Sequence, residues 1–235
     1  MRSKAKQRDK KRIKRIVLFS FLAVTVFVIS LLLYYIIAGY SMYRSVIDKR
    51  DVFAEIEEIQ SGESYITIDM LPSLYTDGVV AVEDSDFYSH KGLDYGAIIK
   101  AARHNITTMS FSQGGSTITQ QLAKNLFFTN EKKLERKVAE VFMVRLLEDN
   151  YSKEEILELY VNVIDFGVGY TGILEASLGY YGKMPNELTN EECAMLIGVP
   201  NAPLCYSPLI DPVGAEAKKE YVIQRLKDFG LWRDE

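Results

Sequence analysis

Five blocks of residues in the central and C-terminal parts of the sequence carry groups that could do chemistry. In the first block, Glu83, Asp84 and Asp86 stand close to Phe87 and His90. The apolar residues before Glu83 lead into it without a turn signal, so the sequence predicts a carboxylate that is carried toward the domain interior. In a partly apolar cleft such a carboxylate becomes a usable general base. The alternative interpretation is the solvated end of a surface helix.

The second block, residues 114–125, reads GGSTITQQLAKN. Two glycines before a helix N-terminus allow an anion to approach free backbone N–H groups. Ser116, Gln120 and Lys124 follow one another at spacings of four residues, which places them on one face of the predicted helix. The pattern predicts an anion-binding face, although an amphipathic helix with a polar side would show the same spacing.

The third block places Arg136 one helical turn before Glu140, a spacing that allows an ion pair. On an exposed surface such a pair would contribute less than about 1 kcal/mol and would carry no function. The fourth block spans residues 153–167 and the fifth spans residues 200–223. The residue types in each block are a weak indication of chemistry by themselves, so the function has to be inferred from the combination of blocks.

Helix signals surround these blocks and predict a mainly α fold. Ser152 with Glu155 and Thr189 with Glu192 form two capping boxes, each followed by an apolar run. Ser116 is predicted to be the N-cap of the helix in the second block. Strand signals are scarce, and the sequence has no internal repeat.

Residues 16–38 carry no charged side chain and predict a transmembrane helix. At 1.5 Å per residue this segment covers roughly 34 Å, enough for a hydrocarbon core of about 30 Å. Residues 1–15 contain nine basic side chains and one acidic side chain, so this tail is expected to stay in the cytoplasm. A cleavable signal peptide is the alternative, but its apolar region would be shorter.

The rest of the chain is then expected outside the cytoplasm. Residues 39–62 are interpreted as a juxtamembrane stalk with an amphipathic helix over 41–60, and residues 63–235 as one domain. The alternating residues 65–68 predict a small strand. Beyond the basic tail there are 19 basic and 31 acidic side chains, which excludes a general nucleic-acid binder because that would need a basic face.

Cysteines and histidines are too few to predict a metal site. Cys193 and Cys205 could pair in an oxidising exterior, but two free, buried thiols are the favoured interpretation. His90 and His104 are far apart in the sequence and do not indicate zinc.

In this order, the five blocks together resemble the peptidoglycan glycosyltransferases of family 51, the glycosyltransferase domain of bacterial cell-wall synthases. That family shows ED-x-x-F-x-x-H-x-G, GGSTITQQ-x-x-KN, RK-x-x-E, K-x-x-ILE-x-YLN and a final NAP…YSP…RR-x-x-VL segment. The resemblance covers residues 83–223, and GGSTITQQLAKN is very specific by itself. It implies a helical, lysozyme-like domain with two lobes.

The resemblance also implies an activity, the polymerisation of lipid II into glycan strands. Lipid II is a lipid-linked disaccharide-peptide, and a sugar 4-hydroxyl displaces its polyprenyl diphosphate with inversion at the anomeric carbon. By resemblance Glu83 is the catalytic base, and Glu140 is the second essential glutamate, which supports the diphosphate. A divalent cation, Mg²⁺ or Mn²⁺, is the one candidate cofactor, and Glu140 is its candidate ligand.

Several substrate-binding residues are assigned by the same resemblance. They are Lys124, Arg136, Ser116, Gln121, Lys100, Lys132, Asn201 and Lys218. Lys100, Lys132 and Lys218 stand where the family usually has arginine, and Asp165 stands where it usually has an aromatic residue. Lysine keeps the charge but loses the bidentate fork toward phosphate, so weaker or altered diphosphate contacts are expected.

Two other functions remain open for the same residues. A lytic or hydrolytic relative would need one acid and no diphosphate cradle, so Lys124 and Arg136 would be idle. A membrane-bound pseudo-polymerase that only binds glycan would explain the lysine replacements and Asp165.

The expected partners are lipid II, the growing lipid-linked strand and the plasma membrane, with penicillin-binding or division proteins as further candidates. The sequence ends at residue 235, which favours a monofunctional enzyme with no transpeptidase domain.

Overall fold

The computed structural model describes residues 2–108, 115–128 and 133–233, without the side chains of residues 2–11, 102, 105 and 106. Within these ranges the chain is helical, and extended backbone pairs only in a single bridge between Asp165 and Thr171. The prediction of a mainly α fold is confirmed. The helices are α1 (Arg2–Ile47), α2 (Val52–Gln60), α3 (Ser73–Glu83), α4 (Tyr95–Thr108), α5 (Ile118–Phe127), α6 (Leu134–Asn150), α7 (Lys153–Val163), α8 (Gly172–Tyr181), α9 (Asn190–Gly198), α10 (Pro203–Tyr206) and α11 (Pro212–Asp228).

Helix α1 extends well beyond the predicted span at both ends. It runs without a break through the basic tail, the apolar segment and the next nine residues. In the described part of the chain it is the one helix long and apolar enough to cross a membrane, and none of its most apolar stretch is buried. An apolar helix that the protein itself leaves uncovered is consistent with a membrane anchor.

The last turns of α1 pack against α6. A side chain at Gly39 would overlap Val138, because its Cβ would lie 2.5 Å from the Val138 Cβ and 2.9 Å from the Glu135 carbonyl oxygen. One residue further on, the Tyr40 ring lies edge-to-face against Phe142, with ring centroids 5.2 Å apart. Glycine therefore permits a close approach that seats the end of the anchor on α6.

The segment interpreted as a stalk is not one continuous helix. After α1 ends at Ile47 the chain turns, and Asp51 caps α2 by accepting hydrogen bonds from two backbone N–H groups. Val52 and Ile56 of α2 are buried in the domain core. Residues 52–60 therefore pack as part of the domain, which differs from the expected stalk.

Residues 65–68 do not form the predicted strand. The side chain of Asn162 in α7 takes the place of a strand partner, accepting from the Ile66 N–H at 2.9 Å and donating to the Ile66 carbonyl at 2.8 Å. A short 3-10 turn, Ile68–Met70, follows directly. The alternation in the sequence reflects burial of Ile66 rather than pairing with another strand.

One apolar core fixes the helices that surround the cleft described below. Helix α9 packs against both α3 and α11, and α5 packs against both α6 and α7. Burying one large apolar side chain contributes about 1.5–3 kcal/mol, so these contacts dominate the placement of the helices. The largest fully buried side chains are Tyr75, Tyr160, Phe87, Phe166, Ile56, Ile118, Leu122, Met143, Leu147, Ile156, Leu157 and Leu159.

Both predicted capping boxes, at Ser152 and at Thr189, are present. Helix α5 also has a capping box, but its N-cap is Thr117 and not Ser116 as predicted. Thr117 Oγ1 accepts from the Gln120 N–H at 3.1 Å, and the Thr117 N–H donates to Gln120 Oε1 at 3.1 Å. The prediction was wrong by one residue because both hydroxyl residues suit an N-cap.

Both cysteines are free thiols, as favoured by the sequence. Cys193 is buried in α9, and burial raises the pKa of its thiol to about 12. Cys205 is exposed in α10, so the expectation that both thiols are buried was wrong for this residue.

Candidate active site

A cleft of about 950 Å³ opens between two groups of helices. The end of α3, the start of α5 and the start of α6 form one wall, and residues 199–201, α10 and α11 form the other. A smaller cavity of about 470 Å³, at the turn between α1 and α2, includes none of the predicted site residues. The cleft is lined by six of them: Glu83, Ser116, Gln121, Lys124, Asn201 and Lys218.

Glu83 is the last residue of α3, and its half-buried carboxylate is held at both oxygens. Gln121 Nε2 donates to Oε2 at 2.8 Å, and Asn201 Nδ2 donates to Oε1 at 3.3 Å. The two donors come from opposite walls, so the carboxylate is oriented in the floor of the cleft. Because both donors are neutral amides, they orient the group without neutralising it, and it can still accept a proton.

The next residue, Asp84, is buried and joins α3 to α5. Its Oδ2 accepts from the Ile118 backbone N–H at 3.0 Å, and its Oδ1 lies 2.9 Å from His90 Nε2. Since His90 Nδ1 accepts from the Gly92 N–H, the ring proton sits on Nε2 and is donated to Asp84. Burial raises the pKa of Asp84, and the hydrogen bonds from His90 and Ile118 partly offset this rise.

This arrangement corrects the expectation for the N-terminus of α5. The sequence predicted that an anion could approach free backbone N–H groups at this helix end. In the structure the Ile118 N–H donates to the Asp84 carboxylate and the Gln120 N–H donates to Thr117. The anion at this helix end is a side chain of the protein itself, which ties Glu83 to the helix that carries Gln121 and Lys124.

Two lysines place positive charge on the wall formed by α5 and α6. Lys124 and Lys137 both line the cleft, and Lys137 Nζ donates to Ser116 Oγ at 3.2 Å. Burial lowers the pKa of Lys124, and the nearby charges of Lys137 and Arg136 lower it further, while Glu140 and Asp165 act in the opposite direction. Such a cluster of cations would be relieved by an anionic ligand such as a diphosphate.

Arg136 and Glu140 lie beneath this wall. The Glu140 side chain is fully buried and that of Arg136 is 9% exposed, and the two form an ion pair at the i, i+4 spacing. The other carboxylate oxygen of Glu140 lies 2.7 Å from Lys137 Nζ. The predicted pair is therefore present, but it supports Lys137 from behind and does not line the cleft.

Glu140 does not fit the divalent cation that the resemblance left open. Its carboxylate is already matched by two cationic side chains. Among the described residues no group of three His, Cys, Asp or Glu side chains could hold a metal ion. No step proposed below uses a metal.

The opposite wall centres on Lys218. Its Nζ lies 5.4 Å and 4.8 Å from the ring centroids of Tyr206 and Tyr221, within the range of cation–π attraction. Burial lowers the pKa of Lys218, and the negative charge of Glu83 partly offsets this. Further along α11, Arg225 donates to a carbonyl in the last turn of α3 at 3.3 Å, so this wall also fixes the end of the helix that carries Glu83.

Besides Arg136, one predicted binding residue with a described position is not brought to the cleft. Lys100 is exposed on α4 and is not part of the cleft lining. Lys132 lies outside the residues that the structure describes. The geometry therefore gives no support to substrate binding by Lys100.

Four functional candidates were missed from sequence. Lys137 and Tyr206 stand inside the RK and YSP motifs already recognised, so a residue-by-residue comparison could have found them. Tyr221 and Arg225 follow Lys218 on one face of α11 at helical spacing, which was the available signal.

Residues 49–227 match the transglycosylase family. The chain belongs to that family. This confirms the resemblance that the motifs indicated, and as a member of the family the chain is a glycosyltransferase. A candidate transglycosylase of Cupriavidus necator is 40% identical over 166 residues, which cover 71% of each chain.

Penicillin-binding proteins 1A are also similar to the chain. The Aquifex aeolicus protein is 42% identical over 166 residues, and the Escherichia coli protein is 41% identical over 165 residues. These matches cover 71% and 70% of this chain but only 23% and 19% of the two relatives. The chain thus spans about a fifth of the penicillin-binding proteins it matches.

Proposed function

We propose that this transglycosylase polymerises lipid II into glycan strands. The 4-hydroxyl of an acceptor sugar attacks the anomeric carbon of a lipid-linked donor, and the bond to the donor's polyprenyl diphosphate breaks. The observation that carries the proposal is that the Glu83 carboxylate and the Lys124 and Lys137 ammonium groups line one cleft. A base and a cationic cluster in the same cleft suit a transfer that releases a diphosphate.

Glu83 takes the proton from the attacking hydroxyl in this proposal. Its carboxylate is oriented by the amides of Gln121 and Asn201, which are its hydrogen-bond donors among the described residues. The hydroxyl oxygen then bonds to the anomeric carbon on the face opposite the leaving diphosphate. Attack from that face inverts the configuration at this carbon.

Lys124 and Lys137 receive the charge that develops on the departing diphosphate. The position of Lys137 does not depend on substrate, because Lys137 is held by Ser116 and by the buried Glu140. Charge that is already in place when the bond breaks lowers the barrier without further reorganisation. Arg136 and Glu140 act in this account as positioning residues below the wall.

The membrane anchor places this cleft near its lipid-linked substrate. We propose that the basic tail remains in the cytoplasm and that the domain lies outside it, as the distribution of basic residues predicts. Helix α1 seats on α6 at Gly39, directly after the predicted membrane span of residues 16–38. Lys137 and Glu140 lie on the same stretch of α6. In this proposal the cationic wall lies near the end of the anchor, within reach of a lipid diphosphate at the membrane surface.

A polymerisation assay on the full-length protein tests the proposal. Purified protein in detergent receives lipid II, and the products are separated on a gel. We expect glycan ladders with the wild type, a loss of about 100-fold or more with Glu83→Gln or Lys124→Met, and ladders as in the wild type with Glu220→Gln, an exposed glutamate on α11.

The same assay separates the other functions. Release of single disaccharide units from lipid II, or breakdown of finished peptidoglycan, would indicate the lytic alternative. Binding of lipid II without any product would indicate the pseudo-polymerase. Full activity of Glu83→Gln would contradict the role given to this carboxylate.

A further inference from the structure

We propose that Tyr160 is a positioning residue for glycosyl transfer, because its hydroxyl holds the Gln121 side chain so that the amide NH₂ group faces the Glu83 carboxylate. The inference rests on the proposed role of Glu83 as the base. Tyr160 is a buried residue on α7 and does not line the cleft. The inference therefore assigns control of this carboxylate to a residue outside the cleft.

The relay connects three helices through two hydrogen bonds. Tyr160 on α7 lies 3.2 Å from Gln121 Oε1 on α5, and Gln121 Nε2 lies 2.8 Å from Glu83 Oε2 at the end of α3. Tyr160 is 1% exposed and its ring is part of the apolar core. Because the ring is packed on all sides, the position of its hydroxyl is fixed by the core and not by the substrate.

The orientation of the Gln121 amide decides which form of Glu83 is favoured. With the NH₂ group toward Glu83, the amide donates to a carboxylate and stabilises the form that can accept a proton. In the reversed orientation two acceptor oxygens would face each other at the same distance, which suits only the protonated acid. Tyr160 selects the first orientation by donating its proton to the amide oxygen.

Tyr160 remains a donor over the working range of pH. Burial raises the pKa of its hydroxyl well above the ordinary value, and the charges of Glu83, Tyr75 and Asp84 act in the same direction. In the described residues its hydroxyl has no other hydrogen-bond partner. A reversed amide would leave the proton of this buried hydroxyl unpaired, which is unfavourable.

Other charged or titratable groups around Glu83 remain unchanged when Tyr160 is altered. They are Lys218 on α11, Lys124 on α5, Tyr75 on α3 and Asp84 with its partner His90 after α3. A change in pH dependence on removal of the Tyr160 hydroxyl therefore reports on the amide and the carboxylate.

Tyr160→Phe tests the relay, since it removes the hydroxyl and keeps the buried ring. The acid limb of the kcat profile for lipid II should move up by about 0.7 pH unit, a fivefold bias, with activity recovering toward wild type at higher pH and an unchanged KM. Tyr65→Phe is the matched control, because it removes a hydroxyl that donates to Glu158 on the same helix at 2.8 Å. Its profile should coincide with that of the wild type. A uniform loss at all pH values in Tyr160→Phe would show a structural role and overturn the proposal.

A double-mutant cycle establishes whether Tyr160 acts through Gln121. Gln121→Leu should move the acid limb at least as far, and Tyr160→Phe should add no further shift in that background. Additive shifts in the double mutant would overturn the relay. If Tyr160→Phe fails to fold, an unshifted acid limb in Gln121→Leu alone would overturn it. Glu83→Gln keeps the two proposals distinct: if that variant remains active, the proposed function fails, whereas an inactive Glu83→Gln with unshifted Tyr160→Phe refutes the relay alone.

Discussion

Replacement of Glu140 by glutamine should destabilise the domain strongly, because this carboxylate is the buried counter-charge of Arg136 and Lys137. The Glu140 side chain is fully buried and Arg136 is 9% exposed. Removing one partner of a buried ion pair costs about 3–5 kcal/mol, since the other charge stays buried without compensation. Lys137 is 44% exposed, so solvent screens its charge when Glu140 is replaced and it adds little; about 3–4 kcal/mol is expected for the variant.

The same helix offers a matched control. Arg145 and Asp149 form an ion pair on α6 at the same spacing, but their side chains are 70% and 50% exposed. Solvent screens such a pair, so Asp149→Asn should change the free energy of unfolding by less than about 1 kcal/mol. The two variants therefore compare the loss of the acidic partner of an ion pair at a buried and at an exposed position of one helix.

Thermal unfolding in detergent, followed by circular dichroism, measures both variants. In a domain of this size 1 kcal/mol corresponds to about 2–4 °C, so Glu140→Gln should lower the midpoint by about 6–16 °C and Asp149→Asn by only a few degrees. Polymerisation is measured in parallel below the midpoint. Abolished polymerisation at an unchanged midpoint would refute the positioning role and would mean that Glu140 acts on the reacting atoms.

Three further predictions follow from single contacts. Gly39→Leu should lower the thermal midpoint, because over-packing against α6 costs about 1–3 kcal/mol. Ser41→Leu, at an exposed position of α1, is the control. Equal midpoints for the two variants would contradict the packing of α1 on α6. Lys124→Arg should extend activity to higher pH. The pKa of Lys124 is lowered, so this lysine loses its charge at a lower pH than an ordinary lysine, whereas arginine stays protonated. Coincident alkaline limbs of the two pH–activity profiles would contradict this. Thr117→Ala should cost about 1–2 kcal/mol in chemical denaturation and Ser116→Ala much less, and the reverse order would disprove the cap assignment.

Helix positions were largely predictable because their signals are local. The capping boxes at Ser152 and Thr189 depend on residues three apart, and both are present. The strand over residues 65–68 was wrong because a strand needs a distant partner, and here the Asn162 side chain fills that place. The stalk was misjudged for a similar reason, since burial of Val52 and Ile56 depends on helices that follow much later.

The sequence also predicted many of the residues that form the site, but not how deeply each side chain is buried. The motifs named Glu83, Lys124 and Gln121, and the fold brings them to one cleft. Nothing in the sequence indicates that Glu140 points into the protein, because opposite charges four residues apart give the same pattern on a buried and on an exposed helix face. The carboxylate that occupies the start of α5 could not be assigned either, since Asp84 is 34 residues away from Ile118.

A structure of the full-length Glu83→Gln variant bound to two lipid-diphosphate-linked glycans would test the central claim most directly. The account predicts that the donor diphosphate contacts Lys124 and Lys137. It also predicts that the acceptor 4-hydroxyl lies about 2.6–3.2 Å from the side chain at position 83, on the far side of the anomeric carbon from the diphosphate. A donor diphosphate held by Lys218 and Arg225 on the opposite wall, or an acceptor hydroxyl out of reach of position 83, would contradict it.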